Sequence, residues 1–320
     1  MATSYPENAT DRDEWIRSRR PGRNPVDPFQ PYAFLVEDER SATGEIVPVA
    51  TVFLTNRECP WRCLMCDLWR NTLTDSVPVG AIPAQIDYAL QRLTPVRQIK
   101  LYNSGSFFDP KAIPTDDYRD IADRVANFDR VIVESHPALV GAASFGFKDI
   151  LSGQLEVAMG LETVHPEILE RLNKRMTTGQ FEEAAESLRK NNIDLRVFIL
   201  VKPPFMREEE ALVWAVRSLE FAFDCGATAA TLIPTRAGNG AMEELSRSGE
   251  FSPPTLATLE SATAHGIAMN KGRVFADIWD VRTASPCPDC HEPRIARLRE
   301  MNLQQSILPL IKCDLCGGNS

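Results

Sequence analysis

Cys59, Cys63 and Cys66 fall within eight residues, in the stretch Arg57-Glu-Cys-Pro-Trp-Arg-Cys-Leu-Met-Cys66. Thiolates are the ligands of iron-sulfur clusters, and cysteines spaced two and three residues apart can fold around one cluster. Three protein ligands leave one iron of a four-iron cluster free to take a small molecule, which suits catalysis better than electron storage alone. Buried apolar thiols or an incomplete zinc knuckle are the plainer alternatives. Three cysteines beside Pro60, Trp61 and Arg62 weigh against both.

A second set closes the chain. Cys287-Pro-Asp-Cys290 and Cys313-Asp-Leu-Cys316-Gly-Gly are two Cys-x2-Cys knuckles separated by 22 residues. Such pairs predict one tetrahedral four-thiolate site, holding zinc or, alternatively, an auxiliary iron-sulfur cluster. A closed zinc site would fold a tail too small to bury a core of its own. An auxiliary cluster would instead pass electrons or donate sulfur. Arg282, Arg294, Arg297, Arg299 and Lys312 make this tail basic, and Cys225 stands alone.

These residues need a scaffold, and the apolar pattern supplies one. Strands are expected at 47–54, 98–102, 130–134, 155–160, 194–200 and 228–233. Between them lie helical patterns at 82–93, 118–128, 138–151, 166–173, 181–190 and 208–223. Parallel neighbours need crossover connections, and same-handed crossovers curl the sheet. Six units are fewer than a closed barrel needs. The expectation is therefore an α/β fold, an open partial (β/α)6 barrel, with a seventh strand available at 273–278. Chemistry then belongs on the loops at the C-terminal strand ends, and a lateral opening would admit a substrate. Residues 1–40, rich in charge and proline, read as an N-terminal extension wrapped on the surface or partly disordered, 41–280 as the barrel and 281–320 as the metal-binding tail.

The strand ends carry polar residues. Asn103-Ser-Gly-Ser106 follows the second strand; small residues there suit close backbone approach to a polar ligand, or form a simple turn. Glu134 ends the third strand, followed by His136, which reads as structural before catalytic. Glu162 ends the fourth and suits ribose hydroxyls, while Arg175, twelve residues past Thr163, suits a carboxylate or a surface ion pair. Lys202 and Arg236 follow the fifth and sixth strands as further cations that could meet an anionic group.

The spacing Cys59-x3-Cys63-x2-Cys66 after a first strand resembles the signature of the radical S-adenosylmethionine (radical SAM) superfamily. That resemblance implies a 4Fe-4S cluster chelated by SAM, reductive cleavage of SAM to a 5'-deoxyadenosyl radical, and hydrogen abstraction from a substrate. It also implies a one-electron donor such as flavodoxin or ferredoxin. Val133-Glu-Ser-His-Pro, Gly160-Leu-Glu-Thr with the later Leu172-Asn-Lys-Arg, Thr231-Leu-Ile-Pro234 and the segment from Asn103 to Pro110 resemble the branch holding the Elongator catalytic subunit and the archaeosine-synthase radical SAM subunit. By that resemblance Asn103, Ser104, Gly105, Ser106, Glu134, Glu162 and Arg175 contact SAM, and Met65 gives apolar contact near the adenine. The Gly-Gly-Glu common in the superfamily after the second strand is replaced here by Asn-Ser-Gly-Ser.

Whole-chain properties bound the partners. The chain has 320 residues, 43% hydrophobic and 25% charged, with a net charge of -9. Its pI near 5.1 gives no general footprint for nucleic acid. No stretch approaches the roughly 18 apolar residues of a membrane span. The opening residues show no secretion signal, so the cytoplasm is the expected compartment. For the substrate, the branch resemblance and basic tail point to a modified nucleoside in tRNA, and the acidic balance to a small metabolite. A non-catalytic module with two metal sites is the reading from another class.

Overall fold

The computed structural model describes residues 5–281 and 287–316. The first four residues and Arg282, both drawn on above, lie outside these. An eight-stranded sheet runs in sequence order through β1 (Ala33–Arg40), β2 (Ile46–Phe53), β3 (Gln98–Tyr102), β4 (Arg130–Glu134), β5 (Gln154–Glu162), β6 (Asp194–Val201), β7 (Ala229–Pro234) and β8 (Arg273–Ala276). β2 to β8 pair in parallel, whereas β1 is antiparallel to β2, with Ala33 opposite Phe53 and Arg40 opposite Ile46. The result is a curled, open half-barrel. The expected seventh strand is β8.

Helices flank the sheet, most of them over its outer face, because each turns an apolar stripe inward. They are α1 (Ala9–Ser18), α2 (Ala81–Leu90), α3 (Tyr118–Arg124), α4 (Ala142–Ile150), α5 (Pro166–Arg171), α6 (Thr178–Lys190), α7 (Glu208–Asp224), α8 (Ala241–Arg247), α9 (Leu256–Ala268) and α10 (His291–Gln304). Their starts are written locally: Thr177 and Gln180 form a capping box on α6, and Thr255 caps α9. One continuous core, including Ile99, Val131, Val157, Phe181, Val197 and Leu219, fills the space between sheet and helices.

The inner face is polar at its base. Arg196 bridges Glu39 and Glu156 at 2.6 Å each, Lys100 reaches Glu39 at 2.6 Å, and Arg130 and Arg273 also meet Glu156. Although burial alone would raise the Glu39 carboxyl, Arg196 and Lys100 hold it well below the usual carboxylate range. An ion-pair layer thus floors the barrel.

Residues 5–40 differ from the surface wrap or partial disorder expected of the N-terminal segment. Part of this segment is β1, an integral edge of the sheet, and part is α1, whose Trp15 and Ile16 pack with Tyr5, Leu64, Met242 and Phe251. Arg12 pairs with Glu170, and Arg20 and Arg23 with Glu58, so three of its cations are spent on carboxylates of the same chain.

Candidate active site

The cluster loop leaves β2 and is held from three sides. Leu64 N donates to Leu172 O at 2.9 Å, the Asn173 side-chain amide donates to Arg62 O at 2.8 Å, and the Asn239 amide donates to Leu64 O at 2.7 Å. Trp69 Nε1 donates to Cys66 O at 3.1 Å from within the loop. Trp61 stacks on His136 with ring centroids 3.7 Å apart and planes 11° from parallel. His136 Nδ1 accepts from Ala138 N, leaving Nε2 to donate to Lys174 O. Burial, with Lys174 nearby, lowers the imidazole to about 4, so the ring is a neutral structural plate.

Cys59, Cys63, Met65 and Cys66 face a cavity of about 1050 Å³ that runs from this loop towards the ion-pair floor. Ser104, Gly105, Glu134, Glu162 and Lys174 line the same cavity. Gly105 lies so close to the loop that a Cβ there would sit 3.2 Å from Cys59 Cβ. Asn103 is wholly buried, and both polar atoms of its side chain lack a partner among the described residues. A buried unpaired amide calls for a partner, and this one directly precedes Ser104 and Gly105, which line the cavity. Its backbone N–H donates to Glu134 at 3.0 Å. Burial lifts that carboxyl to about 7, against the opposing pull of the Asn103 and Ser104 amides and Lys174.

The end of β5 is irregular. Its register with β6 shifts between Gly160 and Glu162, and Glu162 adopts a left-handed φ of 67°. Such strained backbone clusters at ligand sites. Glu162 there pairs with Lys174, and although burial alone would lower the ammonium, Glu162 raises it.

Most of the sequence expectations converge on this cavity, but four residues do not, the buried Asn103 among them. Arg175 turns away and donates to Asp13 at 2.7 Å and to Ala9 O at 2.9 Å. Left-handed φ at Asn173 (56°) and Arg175 (60°) reverses the chain, so Lys174 faces inward and its neighbour faces α1. Ser106 is buried between Ser135 and the His136 amide. Lys202 is taken up by Ser252 and Glu208. Arg236 does line the cavity, 4.0 Å from Asp67 and 3.9 Å from Asp277. Lys174 was missed by one position inside a motif already singled out. Lys100 and Arg196 were missed because strand-interior cations give no local signal.

The tail brings its four cysteines together. Their sulfurs all lie within 4.8 Å of one another, with Cys287 to Cys313 at 3.8 Å and Cys290 to Cys316 at 3.6 Å. The basic character expected of this tail is largely internal: Arg294 and Arg297 both pair with Glu260, and Arg297 also binds Leu308 O and Pro309 O.

No family model matches the chain. It is 25% identical over 250 residues to an uncharacterized protein of Methanocaldococcus jannaschii, covering 73% of this chain and 68% of that one. It is 26% identical over 218 residues to archaeosine synthase subunit beta of Methanosarcina acetivorans, covering 64% and 63%. The archaeal Elp3 of Methanocaldococcus infernus superposes with a TM-score of 0.51 at 13% identity, over 70% of this chain and 59% of that one. At that identity the structural likeness establishes the fold. The chain thus shares the curled half-barrel fold of the archaeal Elp3 and carries its three-cysteine loop directly after the first parallel strand. In sequence the chain is similar to archaeosine synthase subunit beta of Methanosarcina acetivorans and of Thermococcus kodakarensis, and in fold to the archaeal Elp3. Among the described residues, no helix is long and apolar enough to cross a membrane.

Proposed function

We propose that this protein cleaves SAM reductively at a 4Fe-4S cluster held by Cys59, Cys63 and Cys66 and abstracts hydrogen from a substrate, a modified nucleoside in tRNA. The observation that carries the reading is the convergence of the three cysteines with Ser104, Gly105, Glu134, Glu162 and Lys174 on one cavity. The donor set fits such a cluster, and the cluster with SAM would supply the one-electron bond cleavage.

The chain's own residues bind and orient. Lys174 neutralises Glu162 while leaving one carboxylate oxygen for hydroxyl donors, and the ribose of SAM offers such hydroxyls. Gly105 and Ser104 bring backbone against the cluster loop, and the Asn103 amide offers both a donor and an acceptor for the amino acid moiety. Met65, half-buried among apolar neighbours, offers the adenine an apolar face. Phe198, Leu200 and Ile233 exclude water along the wall below. The electron would come from a small donor such as a flavodoxin or ferredoxin.

Similarity to archaeosine synthase subunit beta supports the RNA substrate. A small metabolite is favoured by a different observation, since seven carboxylates and five cations line the cavity. The two readings separate in one experiment. If tRNA is the substrate, it binds with steep salt dependence and stimulates 5'-deoxyadenosine formation. Salt-insensitive or absent binding of tRNA, without stimulation, would remove the RNA reading.

A further inference from the structure

The half-barrel has an open side between β8 and β1, and α10 occupies it, packing against both strands. Along the free edge of β8 its side chains take the place of a neighbouring strand. Gln305 accepts from Val274 N at 2.7 Å and donates to Val274 O at 2.8 Å. Asn302, one turn earlier, accepts from Ala276 N and donates to Ala276 O, both at 2.8 Å. Four edge groups that would otherwise be unpaired are thereby satisfied by two amides. The same helix presents Arg299, Asn302 and Leu303 to the cavity.

α10 has few apolar anchors of its own: Ile295, Leu298 and Met301 are its buried hydrophobic residues. Its N-cap is Cys290. Beyond its C-terminus the chain doubles back along the helix, where Arg297 binds the carbonyls of Leu308 and Pro309, and delivers Cys313 and Cys316 to the helix start. Four sulfurs each about 2.3 Å from a single tetrahedral ion stand about 3.8 Å apart. The observed separations of 3.8 and 3.6 Å match that figure, whereas the thiolates of a multi-iron cluster bind different metal atoms and are spread accordingly.

We propose that a single zinc-like ion on Cys287, Cys290, Cys313 and Cys316 is the clasp of a removable side wall: by closing the α10 hairpin on itself it holds the helix across the β8/β1 gap and sets Arg299, Asn302 and Leu303 against the substrate. Only the last clause rests on reading the cavity as the substrate site; the clasp does not. The four-thiolate centre is then a positioning element for the substrate wall, with no electron-transfer role.

Backbone hydrogen exchange on the full chain tests this without requiring SAM or activity. The zinc-loaded protein is compared with protein stripped of zinc at equal iron content, and with an N302L/Q305L variant that keeps all four cysteines. In both, the amides of Val274 and Ala276 are expected to exchange roughly tenfold faster or more, while β5 amides stay protected. The double variant is expected to keep one zinc per chain. Unchanged protection at Val274 and Ala276 in either arm, or equal loss throughout β5 on zinc removal, would overturn the proposal. Recovery of iron instead of zinc at the four cysteines would also overturn it.

Discussion

Lys174 pairs with Glu162 across the mouth of the half-barrel, in space that exists because residue 160 is glycine: a Cβ there would collide with both the carboxylate and the ammonium. The pair joins the bulged end of β5 to the loop after α5, and that loop also holds the cluster segment through Asn173. Strand end, ligand-facing charge and cluster loop are therefore mechanically one unit.

Lys174→Met and Arg175→Ala separate two adjacent cations. The first leaves Glu162 uncompensated at a largely buried position and is expected to lower SAM affinity roughly tenfold or more. The second removes a half-exposed pair with Asp13, costs under about 1 kcal/mol of stability, and leaves SAM binding within about twofold. Calorimetric SAM titration checks both. Equal losses from the two variants would contradict the placement of Lys174.

Gly160→Ala is expected to fold, because the atoms its Cβ meets are the far ends of two flexible side chains. Displacing them spoils the geometry that SAM would use. Thermal stability should change by less than about 1.5 kcal/mol while SAM affinity falls severalfold. A variant with native SAM affinity would show that the close approach is incidental.

Much of the scaffold was legible because β3, β4 and β6 are short β-branched or apolar runs bounded by turns. β1 was not. Ala33–Arg40 mixes charges into its pattern, and Glu37 and Glu39 face inward only because Lys100 and Arg196 wait there from distant strands. α10 escaped notice for a similar reason, since three apolar anchors among many charges make a weak stripe. The cysteines and strand-end carboxylates were visible as residue types. The inward turn of Lys174 in place of Arg175 was not, because it depends on left-handed backbone at two positions.

The Glu134 carboxyl, raised by burial from 4.5 to about 7, gives a pH signature. Between those values the folded chain keeps a proton that the unfolded chain has lost. Stability therefore falls as pH rises through this window, and the full cost is present above about 7. Glu134→Gln removes it, and should gain roughly 1–3 kcal/mol more at pH 8 than at pH 5 in denaturant unfolding. A gain independent of pH would contradict this account.

Metal analysis of the anaerobically reconstituted chain should find about four irons and about one zinc. Cys287→Ser should lose the zinc and keep the iron, and Cys63→Ala the reverse. About eight irons without zinc would contradict a single-ion site in the tail.

The central claim is that Cys59, Cys63 and Cys66 serve SAM cleavage in this cavity. The most direct measurement is 5'-deoxyadenosine formed from SAM and dithionite without oxygen, by the native chain and by the variant with all three cysteines replaced by alanine. The account predicts product from the native chain and none above background from the variant, with the tail zinc retained in both. No product from native protein carrying a full complement of iron would contradict it.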